Sequence, residues 1–231
     1  MRLAKYLAHA GVASRRAAEE LIAAGKVSVG GEEVTDPARD VGEASDVRVN
    51  GEPVTPEPRE VWAVNKPPGV VSTAHEPGKR RAITELVDTE RRLYPVGRLD
   101  ADSTGLILLT NDGELANRLT HPRYGVPKTY RVRLARPPSD GDLERLRRGV
   151  HLEDGPSAPA EVERRGDREI QVTIREGRKR QVRRMAEAVG NEAEFLTRIR
   201  IGSLELGELP RGAARLLEPR EIDALWEDAA P

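Results

Sequence analysis

An arginine and two aspartates lie close together in the polar segment 97–105, which reads Gly-Arg-Leu-Asp-Ala-Asp-Ser-Thr-Gly. The aliphatic run 106–109 follows at once and predicts a buried strand. A carboxylate in a loop that leads into such a strand is held rigidly and still meets a ligand, as a reacting group must. Asp100 is therefore the first candidate for a catalytic residue. Asp102, which lies nearest the Ser-Thr-Gly turn, is expected to brace the loop.

An aromatic residue in a basic segment is the second candidate. Tyr130 lies within residues 128–135, where apolar positions alternate with Arg131 and Arg133 in the pattern of a half-exposed strand. Such a tyrosine is more often a core residue than a functional one. Beside Lys128 and Arg131, however, its ring can stack on a nucleic-acid base, a contact worth roughly 1–3 kcal/mol.

Positive charge is concentrated in parts of a chain whose net charge is only −1. Residues 115–136 contain six basic and no acidic residues, and residues 175–184 contain six basic residues against one glutamate. Solvated surfaces would explain one such cluster. Two in so balanced a chain favour a face that binds a polyanion. The candidate contacts in these clusters are Lys128, Arg178, Lys179 and Arg180.

The first 58 residues predict a small basic domain. Apolar spacing indicates a helix over residues 2–10, and Ser14 is a good N-cap for a second helix that ends before Gly25. Gly30-Gly31 predicts a tight hairpin, and residues 46–49 predict a further strand. The basic residues on or beside these helices are Lys5, Arg15, Arg16 and Lys26.

Proline content predicts where this domain ends. Residues 51–58 contain three prolines and are interpreted as a linker, which places a domain boundary near residue 58 and the domains at 1–58 and 59–231. In the second domain several predicted strands follow one another without a helix between them. We therefore expect an α+β fold with a mixed, mainly antiparallel sheet. The predicted strands are 61–64, 105–110, 128–135, 160–163, 169–174 and 195–201, and the predicted helices are 82–87, 114–120, 140–148, 178–189 and 221–226.

Composition excludes several classes of protein. The chain has no cysteine, which excludes a disulfide scaffold, thiol catalysis and cysteine metal sites and fits a reducing cytoplasm. No dinucleotide-binding or phosphate-binding glycine loop is present, and the four histidines lack metal-ligand spacing. The longest aliphatic run is far too short to span a bilayer. We therefore expect a cytoplasmic protein that needs no cofactor, metal or membrane.

Four blocks, in the same order along the chain, resemble the bacterial ribosomal RNA pseudouridine synthases of the RsuA/RluB branch. They are NKPPGVVST at 65–73, PVGRLDADSTGLILLTNDGELANRLTHP at 95–122, GVPKTY at 125–130 and EGRKRQVRRM at 176–185. Residues 1–50 resemble the alpha-L RNA-binding domain that precedes the catalytic domain in this branch. The resemblance implies a cofactor-free isomerisation of uridine to pseudouridine in ribosomal RNA.

The resemblance also implies roles for individual residues. Asp100 matches the catalytic aspartate, Tyr130 the active-site tyrosine, and Arg183 the basic residue that pairs with the aspartate, with Arg180 as the alternative. Arg98 matches an arginine expected to help flip the target uridine out of its stack. Asp100 then either attacks ribose C1′ or removes a proton from C2′.

The substrate implied by the resemblance is 23S ribosomal RNA, free or in a ribosome-assembly precursor, and the protein is expected to act as a monomer. The alternatives are a 16S ribosomal RNA enzyme, an RNA glycosylase that releases the base, and a non-catalytic RNA-binding assembly factor. A fixed carboxylate in a cationic face argues against a pure binder, because it would repel phosphate.

Overall fold

Two short helices open the chain and bury their apolar faces against one another. The computed structural model describes residues 1–42, 44–74, 78 and 80–230. Ser14 caps the second helix by accepting a hydrogen bond from the backbone N–H of Ala17 at 3.2 Å. The elements of this first unit are α1 (Leu3–His9), α2 (Arg15–Ala23), β1 (Val27–Val29), β2 (Glu32–Glu33), β3 (Val47–Val49) and β4 (Glu52–Pro53). Its core packs Leu3, Leu7 and Ile22 against the strand residues Val27 and Val47.

The chain divides into two compact units. The first comprises Met1–Glu60 together with Thr89–Arg92 and Asn111–Gly113, and the second contains the remaining described residues. Pro231, the last residue of the predicted catalytic domain, lies outside the described residues, as does His75.

The predicted linker begins later than residue 51. Residues Glu52–Pro53 form β4, which pairs antiparallel with β3 at the edge of a four-stranded sheet ordered β2-β1-β3-β4. An edge strand tolerates proline, because its missing N–H removes no bond from the interior of the sheet. The Tyr6 hydroxyl also donates to the carbonyl of Val54 at 3.1 Å, which ties this segment to α1.

The second unit is built on a large sheet whose strand order is β11-β12-β8-β13-β7-β5-β15, with β14 beside β13 and β6 beside β7. Its strands are β5 (Val61–Lys66), β6 (Tyr94–Val96), β7 (Thr104–Thr110), β8 (Lys128–Leu134), β9 (His151–Leu152), β10 (Gly155–Pro156), β11 (Glu161–Arg164), β12 (Glu169–Ile174), β13 (Ala193–Ile201), β14 (Leu204–Glu205) and β15 (Ala214–Leu216). Its helices are α3 (Gly113–Thr120), α4 (Asp140–Arg148), α5 (Gln181–Ala188) and α6 (Pro219–Asp228), with 3₁₀ turns at Ile83–Leu86 and Pro122–Tyr124. Strands β9 and β10 form a separate hairpin.

The predicted fold class is confirmed. Strands β7 and β13 run parallel, and the other pairings in the large sheet are antiparallel. The helices α4 and α5 contribute Leu143, Leu146, Val182 and Met185 to a core against β8, β11 and β12. The predicted hairpin of residues 160–163 and 169–174 is present as β11 and β12.

Several predicted boundaries were wrong. Helix α5 begins at Gln181 and not at residue 178, because Arg180 has a left-handed backbone (φ 51°) that cannot continue a helix toward its N-terminus. The segment 82–87 forms a 3₁₀ turn, because only four residues continue the helical pattern. Val71 makes an isolated bridge to Ala82 beside this turn.

A glycine permits the parallel contact between β7 and β13. Gly105 lies opposite Arg198 and has φ 98°, a value that side-chain-bearing residues rarely adopt. A Cβ atom placed there would lie 2.2 Å from the carbonyl oxygen of Arg198 and 2.9 Å from Cγ2 of Thr197. Only glycine therefore allows the two strands to approach at the end of the 97–103 loop.

We expect Gly105→Ala to destabilise the second unit by about 3 kcal/mol or more, from left-handed strain and overpacking together. Unfolding in urea, followed by tryptophan fluorescence, measures this change, because Trp62 and Trp226 are the only tryptophans and both lie in this unit. Gly166→Ala is the matched control, because its Cβ would make only an ordinary 3.5 Å contact. Equal unfolding midpoints for the two variants would contradict the close-approach argument.

Candidate active site

Asp100 lies in the loop between β6 and β7, and hydrogen bonds hold the backbone on both sides of it. The N–H of Leu99 donates to Oγ of Ser72 at 3.0 Å, and the Ser72 hydroxyl donates to the carbonyl of Leu99 at 2.8 Å. On the other side the N–H of Ser103 donates to the carbonyl of Asp100 at 3.1 Å. The Leu99 side chain is buried in the core beneath the loop. The carboxylate is therefore carried by a fixed backbone.

A buried lysine completes this support. Lys66 ends β5, is fully buried, and directs its ammonium group at the carbonyl oxygens of Pro67, Ala101 and Ser103 at 3.0, 3.3 and 2.7 Å. Burial lowers the pKa of Lys66 to about 8, although Asp102 and Asp100 act in the opposite direction. The sequence analysis did not identify this residue. The feature of the sequence that could have indicated Lys66 is a lysine at the end of an apolar strand, where its side chain cannot reach solvent.

The arginine partners of the two aspartates differ from the prediction. Arg183 lies 3.3 Å from the carboxylate of Asp102, and its predicted pairing with Asp100 is not formed. The reason is that Arg183 is buried in the first turn of α5, where its Nη1 donates to the carbonyl of Ala193. Arg180, outside the helix, reaches both carboxylates, at 3.8 Å from Asp100 and 3.3 Å from Asp102.

A cleft of about 390 Å³ opens beside this loop, a volume within the range of ligand-binding sites. Asp100 lines it, whereas Asp102 and Arg183 do not. The Asp100 side chain is 31% exposed and the Asp102 side chain 50% exposed. Of the two carboxylates, Asp100 is thus the one that a bound ligand would meet. The other predicted site residues that line the cleft are Arg98, Lys128, Tyr130, Arg178, Lys179 and Arg180.

Tyr130 lines the same cleft. It lies in β8, directly across from Val172 in β12 and from Arg198 in β13. The ring is half-buried and packs against the apolar clusters on both sides of it. Tyr130 is therefore both a residue at the edge of the core and a residue that lines the cleft.

Arg98 and Lys179 are the accessible cations of the cleft. Both are exposed, and within the described part of the chain neither side chain makes a hydrogen bond or an ion pair. Unpaired exposed cations remain available to phosphate groups. Their placement agrees with contacts to a polyanion.

Arg178, a predicted RNA contact, has partners within the protein. Its guanidinium donates to the carbonyl oxygens of Gly155 and Pro156 at 3.1 and 2.7 Å and lies 3.3 Å from Glu176. These contacts brace the β9–β10 hairpin, so Arg178 acts first as a structural residue. Arg184 does the same through Asp154, and that bond holds the pKa of the Asp154 carboxyl below its usual range.

The predicted docking residues of the first unit lie on or beside its two helices, and Arg15 and Arg16 lie at the start of α2. Arg15, Arg16 and Lys26 are exposed and Lys5 is half-buried. Over the described residues none of their side chains makes a hydrogen bond or an ion pair. The N-terminus of α2 also carries the positive end of the helix dipole, which favours anions there.

The described ranges contain neither a cluster of potential metal ligands nor a membrane-spanning helix. No group of three or more acidic or histidine side chains there has an arrangement that could hold a metal ion. No helix in the described ranges is long and apolar enough to cross a membrane.

Comparison with known proteins identifies the class of this site. Residues 60–188 match the family described as RNA pseudouridylate synthase, and residues 1–47 match the S4 domain. The chain is 45% identical to ribosomal large subunit pseudouridine synthase B of Bacillus subtilis, over 97% of this chain and 95% of that protein. It is 40% identical to an RNA pseudouridine synthase of Aquifex aeolicus, over 98% and 94% of the two chains.

A solved structure agrees with these matches. The crystal structure of a pseudouridylate synthase superposes with a TM-score of 0.72 at 34% identity, over 97% of this chain and 99% of that one. Fold, cleft and matches define an RNA-modifying isomerase. The chain belongs to the RNA pseudouridylate synthase family, in the RsuA type that carries an N-terminal S4 domain. The family, the enzyme class and the two-part fold implied by the sequence resemblance are thereby confirmed.

We expect Lys66→Met to destabilise the second unit by roughly 2–4 kcal/mol, because three carbonyl groups lose their buried donor. Urea unfolding followed by tryptophan fluorescence measures the change. Lys179→Met, at an exposed lysine of the same cleft, is the control and should leave the midpoint unchanged. A midpoint for Lys66→Met that matches this control would show that Lys66 does not hold the loop.

Proposed function

We propose that this protein isomerises a specific uridine of 23S ribosomal RNA to pseudouridine, with Asp100 as the reacting carboxylate. The observation that carries the proposal is the placement of Asp100. It lines the cleft on a loop held by Lys66 and Ser72, and Tyr130 lines the same cleft. A protein that only binds RNA would have no use for a carboxylate fixed in a cationic cleft, where it repels phosphate.

The reaction moves the ribose from N1 to C5 of the same uracil. The C1′–N1 bond breaks and its electron pair remains on the uracil, which is then a delocalised anion. The ring turns, C5 bonds to C1′, the C5 proton leaves and N1 gains a proton. Because the base is never lost to water, one carboxylate suffices where glycosidases use two. Asp100 acts on the sugar, either by attack at C1′ or by removal of the C2′ proton.

The neighbouring residues have supporting roles in this proposal. Tyr130 stacks on the uracil and is placed to accept the C5 proton. Arg180 and Arg183 orient the pair of aspartates, Arg180 by direct contact with Asp100 and Arg183 through Asp102. Arg98 stabilises the flipped nucleotide, which offsets the few kcal/mol that unstacking requires.

The two predicted domains divide the work. We assign residues 1–58 to docking on ribosomal RNA and residues 59–231 to catalysis. The S4 match over residues 1–47 supports the first assignment, and the synthase match over residues 60–188 supports the second. The docking contacts are Lys5, Arg15, Arg16 and Lys26, and those in the catalytic domain are Arg98, Lys128, Arg178, Lys179 and Arg180. We propose that the active species is a monomer.

The choice of 23S ribosomal RNA rests on the relative named as a large-subunit enzyme. A 16S target is the alternative, and a ribosome-assembly precursor is the alternative to free RNA. Carbodiimide labelling and primer extension on both ribosomal RNAs of a deletion strain decide between the targets. Loss of one 23S pseudouridine is expected, whereas loss of a 16S pseudouridine would reassign the substrate.

We expect Asp100→Asn to lower the rate of pseudouridine formation by about a thousand-fold or more while RNA affinity is unchanged, because the amide neither attacks nor accepts a proton. Tritium release from C5 of the RNA uridines measures the rate, and filter binding measures affinity. Asp102→Asn is the matched control. It weakens two arginine contacts but leaves the reacting group, so measurable activity should remain. Near-normal activity of Asp100→Asn would refute the assignment.

We expect Arg15→Ala combined with Arg16→Ala to weaken RNA binding and to make log K less steep against log salt by roughly 1.5, because each lost phosphate contact removes about 0.7–0.9. The rate at saturating RNA should not change. Glu19→Gln, on the same helix, is the control and should not weaken binding. An unaltered salt slope in the arginine variant would refute the docking role of α2.

A further inference from the structure

One arginine in the cleft is buried without an acidic partner. Arg198 is only 4% exposed, and its Nε donates to the carbonyl of Leu106 at 2.6 Å. Its Nη2 is buried and has no hydrogen-bond partner, and within the described part of the chain no carboxylate lies within ion-pair distance of it. Burial of an unpaired charged donor is strongly unfavourable. Its retention in the wall of the site indicates that a ligand supplies the missing acceptor.

The strand register places this guanidinium beside the predicted uracil position. Arg198 lies directly across from Tyr130, so the two side chains share one face of the sheet, and both line the cleft. Lys128, two residues before Tyr130, lies on the same face and also lines the cleft. Its ammonium donates to the carbonyl of Leu119 at 2.8 Å.

The two cations act on one another. Burial, and secondarily the charge of Arg198, lower the pKa of Lys128 to about 8. Two cations that share one wall without a neutralising carboxylate create a local positive potential. Such a wall stabilises negative charge that develops on a ligand beside it.

We propose that Arg198, assisted by Lys128, donates a hydrogen bond to a carbonyl oxygen of the target uracil and stabilises the uracil anion formed when the C1′–N1 bond breaks. This proposal rests on the isomerase function above. Arg198 moves no proton. The negative charge is delocalised over N1, O2, O4 and C5, and it leaves the uracil when C5 bonds to C1′; the following loss of the C5 proton and gain of a proton at N1 do not change the net charge.

The uracil fits this position better than a backbone phosphate does. Arg198 is almost wholly buried and lies across from Tyr130 in the sheet, which suits a planar base with carbonyl oxygens at its edge. A phosphate would have to leave most of its water, whereas the exposed cations Arg98 and Lys179 can bind one at the rim without that cost. The charge on uracil also exists only after bond cleavage, so the interaction accelerates the reaction instead of only strengthening binding.

A thio-substitution experiment on the full-length protein tests the proposal. The substrates are an RNA with uridine at the mapped target position and the same RNA with 2-thiouridine or 4-thiouridine there. Sulfur is a weaker hydrogen-bond acceptor than oxygen. The wild-type single-turnover rate should therefore fall about 10-fold for one of the two analogues.

The discrimination should be lost in Arg198→Lys. We expect this variant to react more slowly with uridine, with unchanged RNA affinity, and to treat both analogues within about two-fold of uridine. Arg200→Lys is the matched control. Arg200 lies on the same strand beyond a bulge, contacts Thr129 and does not line the cleft, so its variant should discriminate as the wild type does. If Arg198→Lys does not fold, Lys128→Met provides the same readout and should reduce the discrimination.

Three results would overturn the proposal. The first is a wild type that does not discriminate against either thiouridine RNA. The second is a folded Arg198→Lys variant that discriminates as strongly as the wild type. The third, measured with a further RNA that carries a phosphorothioate at the target nucleotide, is a variant whose preference changes for that RNA and not for the thiouridine RNAs. The last result would make Arg198 a phosphate contact. Wild-type turnover of the uridine RNA tests the isomerase function separately, so failure of one proposal is distinguishable from failure of the other.

Discussion

The position of Asp100, the proposed reacting carboxylate, depends on one buried ammonium group. Lys66 leaves the end of β5 and is surrounded by the carbonyl oxygens of residues 67, 101 and 103, which belong to the turn after its own strand and to the loop that carries Asp100. An apolar side chain would leave these oxygens buried without donors. Desolvation outweighs the attraction of the nearby carboxylates, and the pKa of Lys66 therefore lies near 8 instead of 10.5. The loop is held by a cation that does not itself line the cleft.

The pair of aspartates is organised by a division of partners. Asp102 contacts both the buried Arg183 and Arg180. Within the described residues the Asp100 carboxylate is paired only with Arg180, at 3.8 Å, and it lines the cleft. Two carboxylates so close in sequence would repel one another in the absence of these cations. Asp102 thus has an electrostatic role beyond the turn-bracing role that its neighbours in the sequence suggest. A tight salt bridge to Asp100 itself would compete with substrate, so the looser arrangement suits a residue that must react.

The parts of this site that could be predicted from the sequence are those encoded locally. Asp100 stands out because a polar loop precedes an aliphatic run, and Tyr130 because apolar and basic residues alternate around it. The contacts of Lys66 and Arg198 could not be found in this way. They depend on β5 and β13 lying on either side of β7. Strand β13 is separated from β7 by roughly ninety residues in the sequence. Nothing near Arg198 in the sequence distinguishes it from Arg200, the half-buried arginine of the same strand.

The same limit explains the errors within the basic block 176–185. The sequence predicts a helix that begins at residue 178 and therefore includes Lys179 and Arg180. In the structure the left-handed backbone at Arg180 separates the block into a turn and a helix, and its arginines diverge. Arg178 and Arg184 brace the β9–β10 hairpin, Arg183 contacts Asp102, and Arg180 reaches Asp100. Only Lys179 remains an unpaired exposed cation among the described residues of this block that line the cleft. The basic cluster therefore lies at the proposed RNA-binding cleft, but most of its charges make contacts within the protein.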